Sequence, residues 1–166
     1  MKILALSVGL FIALSTQAQT KFDIKIKQAE VKLLCKAPDE SDPVSINASV
    51  VEEQDSLAII LKVKFAPGWH AYAHVGNNSP NIAMETLLKL PPSITTAGNW
   101  IKSQPNASVN YPNELLYEKE AVFIQKLVKG KEFNKGISVI QTGLYYQTCN
   151  LYQCLPPTEK TIDLTI

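Results

Sequence analysis

The chain has 166 residues and a formal net charge of +1, with 16 basic residues, all of them lysine, against 15 acidic residues. This balance and the lack of arginine argue against nucleic-acid binding, which draws on a basic excess and on the forked guanidinium group. A chain of this length forms about one domain and buries a core without needing disulfides to hold it together.

The N-terminus has the pattern of a signal peptide. Lys2 supplies a positive charge, Ile3 to Leu14 form an apolar stretch, and small residues precede a cleavage point at Ala18. We therefore expect a signal peptide over residues 1–18, cut after Ala18, and an exported protein that is periplasmic or secreted. Residues 19–166 are expected to form a single domain.

The first mature segment, Ile24 to Ala37, fits either an opening strand or an irregular helix. Further along, apolar residues alternate with other residues and predict a strand with one face in the core: Leu57, Ile59, Leu61, Val63 and Phe65. Similar runs bounded by turn formers recur at Val44 to Val51, Met84 to Leu90, Ala121 to Val128, Ile137 to Tyr146 and Ile162 to Ile166. Strands at this spacing predict an all-β fold, an antiparallel β-sandwich.

The stretch from Asn99 to Tyr117 is predicted to be a long loop, because Pro105, Asn106, Pro112 and Asn113 interrupt it. Long loops in compact domains are usually functional or disordered.

Cys149 and Cys154 enclose only four residues. A disulfide that closes so small a loop stabilises a fold by about 2 kcal/mol, against nearly 5 kcal/mol for a loop of about a hundred residues. Two cysteines held so near each other can, however, alternate between dithiol and disulfide without rearranging the fold. The pair therefore indicates a redox role more than a structural one. We expect the Cα atoms of the two cysteines to lie roughly 4.4 to 6.8 Å apart.

The surroundings of this pair carry no charge from Gly136 to Thr158, yet they include Tyr145, Tyr146 and Tyr152. This composition fits a docking surface for a transient partner, since aromatic side chains give contact area without desolvating charge. A buried strand end has the same composition. With no Lys, Arg or His nearby in sequence to favour a thiolate, we expect access to the sulfur to control reactivity.

The two cysteines differ in what adjoins them. Pro156 and Pro157 follow Cys154 and cannot donate ladder hydrogen bonds, so they are expected to help present its sulfur, although proline pairs more commonly just end a strand. Cys149 follows a patterned strand directly and is expected to be more enclosed.

Four motifs resemble those of a known family: Gly68-Trp-His-Ala-Tyr72, Trp100 followed by Pro105, Tyr117-Glu118, and Tyr146-Gln-Thr-Cys-Asn-Leu-Tyr-Gln-Cys-Leu-Pro-Pro157. With them, Val44 to Ile166 resembles the periplasmic N-terminal domain of the thiol:disulfide interchange protein DsbD. The resemblance implies an immunoglobulin-like β-sandwich that accepts electrons from the thioredoxin-like domain of a membrane thiol reductase. It would pass them to a periplasmic disulfide isomerase or a thioredoxin-like protein of cytochrome c maturation.

The resemblance also implies roles for individual residues. Cys149 and Cys154 would be the catalytic redox pair, with no organic cofactor, and Cys154 would form the mixed disulfides. The active-site surroundings would be His70, Tyr72, Tyr111, Tyr146 and Pro156, with the loop around Asn110 and Tyr111 as a cap. Ser108 and Val109 stand where some members carry acidic residues, which puts a proton-handling role for cap carboxylates in question.

The family continues into membrane helices and a thioredoxin-like domain, whereas this sequence ends after its last predicted strand. We therefore expect a separately encoded membrane reductase or a soluble thioredoxin-like donor. The predicted function is that of a protein-disulfide reductase component. The alternative is a non-catalytic immunoglobulin-like binding module in which the same disulfide is a permanent hairpin clasp.

Two further features are assigned less specific roles. Cys35 is expected to be a small buried apolar residue, with intermolecular pairing as the alternative. His70 and His74 share a predicted strand face but have no nearby cysteine or carboxylate in sequence, so no metal site is expected.

Overall fold

The computed structural model describes residues 21–110 and 112–166. Helix α1 covers residues 21–32. The strands in these ranges are β1 (Val44–Glu53), β2 (Ser56–Phe65), β3 (His70–His74), β4 (Glu85–Lys89), β5 (Ile94–Thr96), β6 (Ile101–Lys102), β7 (Asn106–Ala107), β8 (Leu115–Glu118), β9 (Glu120–Lys129), β10 (Val139–Tyr146), β11 (Thr148–Cys149) and β12 (Thr158–Thr165). Within the same residues, no helix has the length and apolar character needed to cross a membrane. The predicted signal peptide, residues 1–18, lies outside the described residues.

The strands form three sheets whose ladders are all antiparallel. The first sheet has the order β1-β2-β9-β5, with β6 also paired to β9; the second is β12-β10-β4 and the third is β11-β3-β8-β7. One core joins them, since Leu61 and Phe123 of the first sheet pack with Leu144 of the second and Ala71 of the third. The prediction of an immunoglobulin-like antiparallel β-sandwich is confirmed.

Strand β2 is buried on both faces, not on one. Its predicted core residues, Leu57, Ile59, Leu61, Val63 and Phe65, are 0–3% exposed. The opposite face is buried as well, because Ala58 and Ile60 pack against Phe22 and Ile26 of helix α1. The sequence pattern predicted a half-exposed strand, and the helix accounts for the difference.

Three other elements refine the sequence predictions. Of the two structures that fitted Ile24 to Ala37, the helix is the one formed, over residues 21–32. The segment predicted as one long loop, Asn99 to Tyr117, instead contributes β6, β7 and most of β8 to the sheets. The last strand begins at Thr158, directly after Pro157, and not at Ile162.

Candidate functional site

Cys149 and Cys154 are bonded to each other, as predicted from their spacing, with their Cα atoms 4.0 Å apart. This separation lies just under the expected range. The two cysteines oppose each other across a short hairpin, where Asn150 N donates to Gln153 O and Leu155 N donates to Thr148 O, each at 2.9 Å. These two bonds lie on either side of the cysteines, which do not exchange backbone hydrogen bonds with each other. The cysteines therefore occupy a non-hydrogen-bonded position of the antiparallel ladder, where opposed side chains approach most closely.

The hairpin loop has hydrogen bonds of its own. The side-chain oxygen of Asn150 accepts bonds of 2.9 Å from the backbone N–H groups of Tyr152 and Gln153. Asparagine commonly closes turns in this way. Together with the two backbone bonds that flank the cysteines, this network holds the loop without relying on the S–S bond.

The two bonded cysteines differ in exposure. Cys149 is 1% exposed and packs with Tyr72 and Leu116, whereas Cys154 is exposed. Between them, Leu151 and Tyr152 project into solvent with exposed fractions of 77% and 92%. The prediction that Cys149 is the more enclosed cysteine is confirmed.

The disulfide lies on the outer face of the third sheet. Ala71 of β3 pairs with Tyr117 of β8, and both side chains belong to the sandwich core. Because successive side chains on a strand point to opposite faces, their neighbours His70 and Glu118 point outward. Cys149 is paired with His70 and therefore shares that outer face.

His70 is partly buried, and its ring packs edge-on against Tyr72 with the centroids 5.3 Å apart. Burial lowers the pKa of His70, while the charges of Glu118 and Glu114 act in the opposite direction. The sequence offered no charged neighbour for the cysteines, because His70 and Glu118 reach this region through strand pairing and Glu114 reaches it from the loop that directly precedes β8.

An open cleft of about 650 Å³ lies over this part of the sheet. Both cysteines, His70 and Tyr72 line it. One wall is formed by residues 76–81 and another by residues 110 and 112–114. The predicted cap, the loop around Asn110 and Tyr111, therefore borders the cysteines, but Tyr111 itself lies outside the described residues.

Glu114 is the residue in this cleft that the sequence analysis missed. It is 6% exposed, and one carboxylate oxygen, Oε1, accepts a 2.6 Å bond from Ser79 Oγ. The other, Oε2, is buried and has no hydrogen-bond partner among the residues that the structure describes. Asn81 Nδ2 lies 3.5 Å from Oε1. The available signal was weak: Glu114 is the first charged residue after an uncharged run that starts at Ser103.

The other predicted surroundings lie elsewhere. Tyr146 does not line the cleft; it is 2% exposed in the sandwich core, where burial and Asp42 raise its pKa. Pro156 is exposed in the segment between Cys154 and β12.

Cys35 and His74 also lie away from the cleft. Cys35 is partly exposed instead of fully buried, and its Sγ donates to Lys62 O at 3.4 Å. His74 is exposed at the end of β3. Over residues 21–110 and 112–166, no group of three or more His, Cys, Asp or Glu side chains is arranged to hold a metal ion.

The fold and site together define an immunoglobulin-like β-sandwich with a disulfide beneath a surface cleft. No family model and no curated protein sequence matches the chain. Solved structures that resemble it include the yeast GGA1 GAE domain, with 14% identity, 81% of this chain and 96% of that chain covered and a TM-score of 0.42. The GAE domain of GGA2p from Saccharomyces cerevisiae matches with 10% identity, coverages of 80% and 96% and a TM-score of 0.43. Neither likeness assigns a function to this chain.

Proposed function

We propose that this protein is an exported thiol-disulfide exchange protein that relays electrons through Cys149 and Cys154. The observation that carries the proposal is the unequal exposure of the two bonded cysteines. A relay needs one sulfur that a partner reaches in line and a second sulfur held next to it, out of the partner's way. Cys154 fits the first role and Cys149 the second.

The relay has two exchange steps. In the reduced protein, the Cys154 thiolate attacks the partner's disulfide, forms a mixed disulfide and expels one partner thiolate. Cys149 then attacks the Cys154 sulfur, re-forms the internal disulfide and releases the second partner thiolate. The partner gains two electrons, and this protein loses two. A donor dithiol returns them by the reverse sequence.

The local hydrogen bonds support this use of the disulfide. The hairpin is closed by Asn150 and by backbone bonds on both sides of the cysteine pair. Breaking the S–S bond therefore leaves the loop with its own support, and the two sulfurs stay near each other. Because the loop has only four residues, the disulfide removes little entropy from the unfolded chain and stabilises the fold by only about 2 kcal/mol.

The exposed loop tip is proposed to be the docking surface. Leu151 and Tyr152 are exposed large side chains directly beside Cys154, in a stretch without charged residues. Exposed apolar groups at such a site suit a partner whose own cysteines lie in an apolar, weakly charged face.

The partners follow from the DsbD resemblance and from the signal-peptide pattern. The proposed donor is the thioredoxin-like domain of a membrane thiol reductase, supplied by a separate chain or a soluble equivalent. The proposed acceptors are a periplasmic disulfide isomerase or a thioredoxin-like protein of cytochrome c maturation. The reactive group is the cysteine pair, so the proposed activity, that of a protein-disulfide reductase component, uses no organic cofactor.

A competing function is a non-catalytic binding module with a permanent clasp, which the deep burial of Cys149 favours. The reduction potential separates the two. A structural disulfide usually has a potential below about −300 mV, whereas a relay lies nearer to its thioredoxin-like partners, at about −270 mV or higher. We expect equilibration with dithiothreitol buffers to give a potential of about −270 mV or higher; a potential below about −300 mV, in the range of structural disulfides, would reject the proposal.

A further inference from the structure

A cysteine, a histidine and a carboxylate form a row across three strands of the third sheet. Cys149 of β11 is paired with His70 of β3, and His70 is paired with Glu118 of β8. Directly opposed residues on antiparallel strands point to the same face, with their Cβ atoms about 4.5 to 5.5 Å apart. The imidazole of His70 therefore stands between the buried cysteine and an exposed carboxylate.

We infer that His70 is the proton carrier for Cys149: it gives Cys149 a proton when this sulfur leaves the disulfide and removes the proton when Cys149 attacks. The inference rests on the proposed exchange function. It deepens that function by assigning the proton step to a named side chain.

The burial of Cys149 creates the need for such a carrier. At 1% exposure this cysteine has almost no direct access to water, and a thiolate left in an apolar site without a proton donor is costly. Histidine is the side chain that gains and loses a proton most readily near neutral pH. His70 lines the cleft and stays partly exposed, so it links the enclosed sulfur to solvent.

When a donor thiolate attacks Cys154, the S–S bond breaks, a mixed disulfide forms at Cys154, and Cys149 leaves as a thiolate. Protonated His70 gives its proton to that thiolate and becomes neutral. In the reverse direction, neutral His70 takes the proton from the Cys149 thiol, and the resulting thiolate attacks the Cys154 sulfur and releases the partner's thiolate.

The groups that face His70 set its charge. They are Cys149 on one neighbouring strand, Glu118 on the other, Glu114 just before that strand, and the Tyr72 ring. Burial is the largest influence and lowers the pKa of His70, while the two carboxylates partly offset it. Near neutral pH the imidazole is therefore mostly in the form that accepts a proton, and the carboxylates stabilise the protonated form once it is made.

A small aromatic disulfide tests the step without any protein partner. In a Cys35→Ser background, the reduced protein is mixed with 5,5′-dithiobis(2-nitrobenzoate), which releases one coloured thiolate when Cys154 attacks and a second when Cys149 resolves the adduct. We expect His70→Phe, which keeps a ring against Tyr72, to slow the second release by about tenfold or more at pH 7 and to leave the first release unchanged.

The pH profile and two further variants complete the design. The rate of the second release should show an inflection from His70 that both His70→Phe and His70→Gln abolish. Glu118→Gln should move that inflection to lower pH, because the Glu118 charge raises the pKa of His70. The control is His74→Phe, which removes the exposed second histidine and should change nothing.

An unchanged second release in both His70 variants, or equal slowing of the two releases, would overturn the inference. A failure of this inference and a failure of the proposed function give different results. A protein that shows the expected two-phase behaviour but exchanges with no thioredoxin-like partner would retain the proton step and lose the relay role.

Discussion

Ser79 donates a 2.6 Å hydrogen bond to the buried carboxylate of Glu114, and this bond joins the two walls of the cleft above the disulfide. Ser79 belongs to the loop after β3, and Glu114 directly precedes β8. Access to Cys149 therefore depends on a contact between loops from opposite sides of the site. The sequence predicted that access to the sulfur controls the reactivity of the cysteines, and the bond between Ser79 and Glu114 is a specific candidate for that control.

Glu114→Ala is expected to expose Cys149. The substitution removes the carboxylate that accepts the hydrogen bond from Ser79, so the two walls of the cleft separate. The free energy of unfolding should fall by about 1 to 3 kcal/mol. In a Cys35→Ser, Cys154→Ala background, iodoacetamide should alkylate the remaining thiol several-fold faster. Glu114→Gln keeps a carbonyl acceptor and should show a smaller effect, and the exposed Glu159→Ala should show none. Equal alkylation rates in all three would argue against gating by these loops.

Cys35 is expected to react slowly in the folded, oxidised protein. Burial and, to a smaller extent, Glu120 raise the pKa of its thiol, so less thiolate is present at a given pH than in an unfolded chain. The pH at which its alkylation rate reaches half of the maximum should therefore lie above that of the same protein in denaturant. Identical profiles in the two states would contradict the assignment.

The strands were predictable because their pattern is local. The alternation from Leu57 to Phe65 marked the residues that the sandwich core buries, and these are buried in the structure. It gave no sign that helix α1 would cover the opposite face of the strand. The sequence did not decide between helix and strand for α1, because the apolar side chains that contact the sheet begin at Phe22, before the predicted segment Ile24 to Ala37. The error at Asn99 to Tyr117 has a different cause: β6 and β7 have only two residues each and form where a longer strand is available to pair with them.

The site was predictable only in part for a related reason. Spacing was enough to propose the bond between Cys149 and Cys154, and the prolines indicated which sulfur is open. The row of Cys149, His70 and Glu118 depends on pairing among strands far apart in sequence. No local signal reports such a register, so Glu118 could not have been placed beside His70 beforehand.

Gly143→Ala is expected to lower the free energy of unfolding by about 3 kcal/mol, the upper end of the range for substitutions that add atoms to a packed site. A Cβ atom at Gly143 would clash with the backbone oxygen of Lys160 and lie 2.8 Å from the Thr161 Cα, both on the neighbouring strand β12. Because backbone atoms cannot rotate away, the sheet itself must shift. Urea unfolding measures the loss, and Gly76→Ala, which meets no atom within 4 Å, is the control. Similar midpoints for both variants would refute the prediction.

Acidification is expected to weaken the fold through His70. The pKa of His70 is lowered in the folded state, so between that value and about 6.5, the ordinary value, the unfolded chain binds more protons. Stability is then fully present above about pH 6.5 and falls as the pH drops through the folded pKa. Urea midpoints measured from pH 7.5 to 5 should fall less steeply for His70→Gln than for the unmodified protein. If the urea midpoints of the two proteins fall in parallel with pH, His70 is not the cause of the loss of stability.

Cys149→Ala is expected to trap partners, whereas Cys154→Ala is not. Cys154 is exposed beside Leu151 and Tyr152, and Cys149 is enclosed by Tyr72 and Leu116, so an incoming sulfur reaches Cys154 first. Without Cys149, nothing in the site resolves the mixed disulfide, and the adduct should accumulate.

The measurement uses an oxidised thioredoxin-like protein and non-reducing gel electrophoresis, with Cys35→Ser in every variant so that the free thiol cannot contribute. Leu151→Ser added to Cys149→Ala should slow adduct formation with this protein but not with oxidised glutathione, because only the protein partner uses the apolar loop tip. An adduct that forms only with Cys154→Ala would reverse the roles of the two cysteines. Equal slowing with both oxidants would show that Leu151 acts on the sulfur and not on docking.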